Sequence, residues 1–226
     1  MKKILTLISS AACGLAMLSC AGGYVPEAGT PVFGDFTYTG ADAVYEQNPL
    51  GKDEFYTPIL QGCYPDPSIC RKGDDYYIVC SSFAINPGVP IFHSKDLVNW
   101  RQIGHVLDRP SQLKVEDTGI SAGIYAPTIR YNPHNDTFYM ITTQFAGGIG
   151  NMVVKTKDPA EGWSDPIILH FAGIDPDLFF DDDGRAYVFY GTGQLRELKP
   201  DLTGVLPGGV DTTLFVRDAE ETGLLE

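Results

Sequence analysis

The chain has 226 residues, of which 43% are hydrophobic and 20% charged, and a formal net charge of −13 at pH 7. So acidic a chain repels phosphate backbones, which disfavours nucleic acid as a partner. Its length suits one sizeable domain.

Lys2 and Lys3 precede an apolar run from Ile4 to Leu18 broken only by small polar residues, the pattern of a secretory signal. At about 15 residues the run is short for a membrane span. Met17-Leu18-Ser19-Cys20 resembles a bacterial lipoprotein cleavage box, in which the cysteine becomes the lipidated first residue. The first position departs from the usual leucine, so ordinary signal cleavage stays open. The expectation is a signal peptide over residues 1–19 and an acyl chain on Cys20. The protein would then be lipid-anchored at a bacterial cell envelope, periplasmic or surface-exposed, and would touch membrane through the lipid alone. Removal of the two lysines takes the charge from −13 to −15.

Residues 20–47 carry scattered Gly, Pro and Thr with little periodicity and are expected to form a tether. From Asn48 the pattern changes, and short strands rich in Tyr, Phe, Ile and Val alternate with turns. No stretch keeps a helical period over three turns. Of the five cysteines, Cys63, Cys70 and Cys80 remain once Cys13 and Cys20 are assigned to the signal and the box. Export would permit disulfides. The turn near Gly73 places Cys70 opposite Tyr77 rather than Cys80, and buried free thiols are expected.

The first unit opens on Tyr64-Pro65-Asp66-Pro67-Ser68, an acid between two prolines at the mouth of a strand. Each proline fixes its own φ and biases the preceding residue towards extended geometry. Ser68-Ile69-Cys70 follows, then a turn at Gly73 and the aromatic strand Tyr76-Tyr77-Ile78-Val79. Ala126-Pro127-Thr128-Ile129-Arg130 leads through a turn to Phe138-Tyr139-Met140-Ile141. Asp175-Pro176-Asp177-Leu178 leads through Asp181-Asp182-Asp183-Gly184 to Ala186-Tyr187-Val188-Phe189-Tyr190. That acidic turn lacks the spaced ligands of a calcium loop and is expected to be a hairpin.

A second half recurs as well. Pro90-Ile91-Phe92-His93 runs into Ser94-Lys95-Asp96-Leu97 and Trp100, and Met152-Val153-Val154 into Lys155-Thr156-Lys157-Asp158-Pro159 and Trp163. Leu195-Arg196-Glu197-Leu198 runs into Lys199-Pro200-Asp201-Leu202 without a tryptophan. Trp100 and Trp163 are expected in the core. Each unit supplies about four strands, and the openings lie 60 and 49 residues apart. An all-β fold of the β-propeller type is expected, with about three blades in this chain. A β-sandwich is the alternative, but it leaves the recurrence unexplained.

These motifs, together with Pro87-Gly88-Val89-Pro90-Ile91, His93-Ser94-Lys95-Asp96-Leu97-Val98-Asn99-Trp100, Gly123-Ile124-Tyr125-Ala126-Pro127 and Gly173-Ile174-Asp175-Pro176, resemble glycoside hydrolase family 43. Those five-bladed propellers include β-xylosidases and α-L-arabinofuranosidases. The resemblance runs from about Asn48 to the last residue, so residues 48–226 are expected to be a truncated domain of that type. It implies that Asp66 is the general base activating water, and that Asp175 orients the general acid and raises its pKa. The acid would be a glutamate opening a fourth blade. Glu226, 51 residues after Asp175, matches best, with Glu220 and Glu221 as alternatives. Phe83 and Tyr125 match positions whose rings line the sugar subsite, although aromatics in β-rich chains are mostly core. Tyrosine at 125, where tryptophan is common, leaves the pentose open.

The implied activity is hydrolysis of O-glycosidic bonds in xylan or arabinan oligomers, releasing xylose or arabinofuranose with inversion. The partner is an oligosaccharide substrate; the oligomeric state stays open. No cofactor is expected. No metal is expected either, since His93, His105, His134 and His170 lack ligand spacing. A non-catalytic carbohydrate-binding or interaction propeller is the rival. As an incomplete fragment the chain would be inactive alone.

Overall fold

A computed structural model describes residues 42–115 and 118–215. The chain divides into two units, Met1–Gly51 and Lys52–Glu226. In the first, the described residues carry one short helix, α1 (Ala43–Gln47). Cys20 lies outside the described residues, as do Glu220, Glu221 and Glu226.

The second unit is all-β. Its first sheet contains β1 (Ser68–Lys72), β2 (Asp75–Val79), β3 (Gly88–Ser94) and β4 (Arg101–Leu107). The second contains β5 (Ile124–Asn132), β6 (Thr137–Gln144), β7 (Gly150–Thr156) and β8 (Ile167–Leu169). The third contains β9 (Asp177–Phe180), β10 (Ala186–Tyr190), β11 (Gln194–Leu198) and β12 (Asp211–Thr213). Each sheet is an antiparallel meander with its strands in chain order. These are the three recurring units, one sheet apiece. A sandwich would mix strands of neighbouring units in one sheet, and none does so here. The described residues make three sheets and no closed ring.

Side-chain alternation stacks the sheets. Along β6, Phe138 and Met140 join the core shared with the first sheet. Tyr139 and Ile141, the intervening residues, join the core shared with the third. Covered on both faces, β6 is buried from end to end. The far faces of the outer sheets are only partly covered: Phe92 and Tyr187 are buried there, but their neighbours on the same faces are not. In β1, Cys70 packs on the first core, whereas Ile69, paired with Ile78, is 46% exposed. In β9, Leu178 is buried and Phe179 is 58% exposed.

The second half of each unit is turn chemistry. Asp96, Asp158 and Asp201 each accept a hydrogen bond from the N–H two residues ahead, at Val98 (2.9 Å), Ala160 (2.9 Å) and Thr203 (3.0 Å). Carboxylates that bond their own backbone in this way make tight turns recur wherever the aspartate does. Asp181 does likewise in the β9–β10 hairpin, where Oδ1 accepts from Arg185 N–H at 2.8 Å.

Two expectations need correction. Trp163 is 5% exposed in the first core, but Trp100 is only half-buried. Its indole N–H donates to Leu97 O at 2.9 Å, which ties the ring to an outer turn. The three thiols are free, but Cys63 is exposed, because it precedes the first strand. Burial pushes the Cys70 thiol up to about 12 and the Cys80 thiol up to about 11. Both are protonated at neutral pH and therefore poor nucleophiles.

Candidate active site

The openings of the three units share one backbone feature. Asp66, Ala126 and Asp175, each followed by proline, have positive φ values of 52°, 38° and 55°. Extended geometry was the sequence expectation for these positions, and the fold overrides it. Hydrogen bonds made after the central hairpin clamp the chain just before each acid. Ser81 N–H donates to Pro65 O at 2.9 Å, and Gly191 N–H donates to Ile174 O at 2.8 Å. Left-handed backbone at a non-glycine residue costs on the order of 1–3 kcal/mol and persists where surrounding contacts fix it. Asp66 and Asp175 are both exposed, two residues before the innermost strands of their sheets.

The two acids differ in their partners. Asp66 Oδ2 accepts from the Ser81 hydroxyl at 2.6 Å, and Ser81 Oγ accepts from Ala126 N–H at 2.7 Å. The first acid is thereby tied to the opening of the second sheet. Among the described residues the Asp175 carboxylate has no hydrogen-bond partner. Its backbone is set from the second sheet, where Asn151 Nδ2 donates to Gly173 O at 3.0 Å and Thr143 Oγ1 holds Asn151 Oδ1 at 2.7 Å. Lower in the inner strands, Ser68 Oγ accepts from Ile129 N–H at 3.1 Å, and Thr128 Oγ1 donates to Pro176 O at 2.9 Å. Arg130 spans the three sheets, donating to Ser68 Oγ at 3.3 Å and to Asp177.

Phe83 and Tyr125, which the family resemblance assigns to a sugar subsite, are neighbours. Their rings meet edge to face with centroids 5.6 Å apart, and Tyr125 meets Phe145 in the same way at 4.9 Å. The Phe83 backbone exchanges hydrogen bonds with Ile124 at 3.0 and 3.1 Å. That approach requires Gly123: with φ 115°, a Cβ there would lie 2.2 Å from Phe83 O. Tyr125 OH donates to Ser121 O. Phe145, half-exposed at the end of β6, completes a row of three rings. Sequence reasoning missed it, since it belongs to none of the recurring motifs.

A cavity of about 160 Å³ opens beside Ser81, lined also by Cys63, Tyr64, Ser82 and His105. Burial lowers the His105 pKa, which Asp108 partly opposes. Among the described residues no group of three or more His, Cys, Asp or Glu side chains could hold a metal ion. Exposed carboxylates and a row of aromatic edges are the groups that suit a neutral hydroxylated ligand: the rings supply apolar faces and the acids supply proton acceptors.

Comparison with known proteins gives concordant results. The model of the family described as glycosyl hydrolases family 43 matches residues 55–208. A xylosidase/arabinosidase of Butyrivibrio fibrisolvens is 54% identical over 166 residues, covering 72% of this chain and 30% of that protein. A non-reducing end α-L-arabinofuranosidase of Bacteroides ovatus is 46% identical, covering 61% of this chain and 26% of its own length. Among solved structures, a GH43_12 protein retrieved from capybara gut metagenome superposes with a TM-score of 0.70 at 60% identity. That match covers 77% of this chain and 35% of the other. A xylan β-1,4-xylosidase from Bacillus halodurans superposes with a TM-score of 0.65 at 36% identity, over 74% and 34% of the two chains. The chain thus spans about a third or less of the length of these four proteins.

Proposed function

The chain belongs to glycosyl hydrolase family 43, and from that premise we propose that it forms the base-bearing part of an enzyme that cleaves xylan or arabinan oligomers. The products are xylose or arabinofuranose, released with inversion. The observation that carries this reading is the recurrence of Asp66 at Asp175. The two stand at equivalent places in two sheets, with the same left-handed backbone.

Inversion needs a base and an acid on opposite faces of the sugar, with carboxyls roughly 6.5–9.5 Å apart to admit a water. Asp66 is assigned as the base. It takes a proton from that water as the water oxygen attacks the anomeric carbon. Glu226 is assigned as the acid that protonates the departing oxygen. Asp175 is assigned to the acid's side, where its negative charge penalises ionisation of the acid and keeps it protonated near neutral pH.

The ring is proposed to close with two further sheets, since Ile69 and Phe179 leave apolar faces uncovered at both ends of the stack. A cavity of about 470 Å³ along the free face of the first sheet, lined by Ile59, Ile69, Ile78 and Trp100, favours such packing. Cys20 is proposed to carry the lipid that anchors the protein at the cell envelope. Mass spectrometry of the mature N-terminus checks this point, and an unacylated terminus elsewhere would refute it.

The functional test is release of pentose from aryl β-xylosides and aryl α-L-arabinofuranosides by a form of the protein extended to the closed five-sheet ring, with proton NMR of the first-formed sugar. Retained anomeric configuration would exclude single displacement, and no release from either substrate class would exclude the assignment.

A further inference from the structure

We infer that Ser81 is the positioning residue for the Asp66 carboxylate, an inference that rests on the reading of Asp66 as general base. In the β1–β2 register Ser68 faces Val79, so two residues beyond the ladder Asp66 faces Ser81. Ser81 is 2% exposed. A serine hydroxyl carries one proton. Ala126 N–H donates into the oxygen at 2.7 Å, which fixes the rotor and commits that proton to Asp66 Oδ2 at 2.6 Å. An O–H···O⁻ bond of this length is in the strong, charge-assisted range.

Ser81 and Asp66 belong to the first sheet and Ala126 to the second, so the seam between the two sheets sets the carboxylate. Oδ2 is held, while Oδ1 accepts no hydrogen bond from any described residue and is left to take the proton of the attacking water. Ser81 keeps its own proton throughout. The third sheet provides an internal contrast. Its register, Asp177 against Phe189, places Gly191 opposite Asp175. Gly191 repeats the backbone clamp but has no hydroxyl, and Asp175 lacks the tether. A base must be aimed at one water, whereas a carboxylate that acts through its charge need not be.

The test compares Ser81→Ala, Ser81→Thr, Asp66→Asn and the Ser81→Ala/Asp66→Asn double variant, all in a form of the protein extended to the closed five-sheet ring. Ser81→Ala should lower kcat by about 10- to 100-fold, the scale of a misplaced reacting group, with KM within about threefold. Ser81→Thr, which keeps the hydroxyl, should recover most of the loss. In the Asp66→Asn background Ser81→Ala should change the rate by less than about twofold, since residues acting as one unit are non-additive. An equal loss in both backgrounds would mean a structural seam residue and overturn the inference.

Crystal structures of the unsubstituted protein and Ser81→Ala provide a readout independent of turnover. Asp66 should leave its single rotamer while the β1–β2 register stays unchanged; an unmoved Asp66 refutes the positioning role whatever the activity. If Asp66 turns but the unsubstituted protein hydrolyses no aryl pentoside, the positioning role stands and the general-base reading fails. Should Ser81→Ala not melt cooperatively, Ser81→Cys, with similar volume and a weaker donor, carries the same comparison.

Discussion

Asp66 and Asp175 stand two residues before the innermost strand of the first and third sheets, each before a proline and each in left-handed backbone, with φ of 52° and 55°. One fold element therefore presents two carboxylates at corresponding places in a stack of sheets. What separates them is their surroundings: Ser81 bonds the first, and no described residue bonds the second. A difference of environment between paired acids is what assigns different duties to the same functional group.

Asp66→Asn should therefore abolish most turnover, by about 10²–10⁴-fold, because the amide cannot accept the proton of water. The fold should survive, since the amide oxygen can still accept from Ser81. Asp175→Asn should instead displace the alkaline limb of the kcat profile to lower pH, as the acid loses the neighbour that keeps it protonated. Steady-state kinetics on aryl pentosides, with thermal melts as control, separates the two outcomes. Near wild-type turnover for Asp66→Asn would remove it from the mechanism.

Gly123→Ala should be among the most damaging small changes in the chain. The added Cβ would lie 2.2 Å from Phe83 O and 2.6 Å from its carbonyl carbon, in a residue with φ 115°. Backbone must move, which breaks the Phe83–Ile124 pair and parts the Phe83 and Tyr125 rings. A loss of about 3 kcal/mol or more is expected from the combined clash and strain. Gly119→Ala, with nothing within 4 Å of its Cβ, should stay within about 0.5 kcal/mol. Urea melts of the two variants provide the comparison, and equal midpoints would sink the claim.

Asp96 makes the stability of the first sheet's outer turn depend on pH. Its oxygens accept from Asn99 Nδ2 (2.7 Å), Asn99 N–H (2.7 Å), Val98 N–H (2.9 Å) and the Ser94 hydroxyl (3.0 Å). The Asn99 side chain and these backbone donors hold its carboxyl well below the usual value of 3.8. A depressed folded-state pKa adds stability that is complete above the unfolded value and lost as pH falls through the folded one. Asp96→Ala should thus lower the melting temperature at pH 7, and the gap to wild type should narrow below about pH 4. A gap unchanged between pH 7 and pH 3 would show that the turn does not need the charge.

The three units were legible because strand alternation, turn residues and a period near 50 all agree, and Cys70 faces Tyr77 as counting across the Gly73 turn implies. Asp66, Asp175, Phe83 and Tyr125 stood out through their motifs. Ser81 and Phe145 did not, because one serine or one phenylalanine after a strand is common. Extending the Ser68–Val79 pairing by two residues would have found Ser81. The left-handed φ before proline ran against local preference and is set by hydrogen bonds between segments distant in sequence. Trp100 and Trp163 recur at like places, yet only Trp163 packs where two sheets meet.

The uncovered faces of the outer sheets yield the last prediction. Ile69 is 46% exposed and Phe179 is 58% exposed, although their strand neighbours Cys70 and Leu178 pack into cores. Strand β6 of the middle sheet, by contrast, is covered on both sides. In a ring closed by two more sheets both residues would be buried, and each truncation to alanine should then cost about 2–5 kcal/mol. In the 226-residue chain alone the same truncations should stay within about 0.5 kcal/mol, as for surface positions. They should also reduce its self-association, since an uncovered apolar sheet face invites it. Denaturant melts and sedimentation velocity on both lengths of protein decide the matter. Costs that stay small in both lengths would show that these faces remain open in the extended protein.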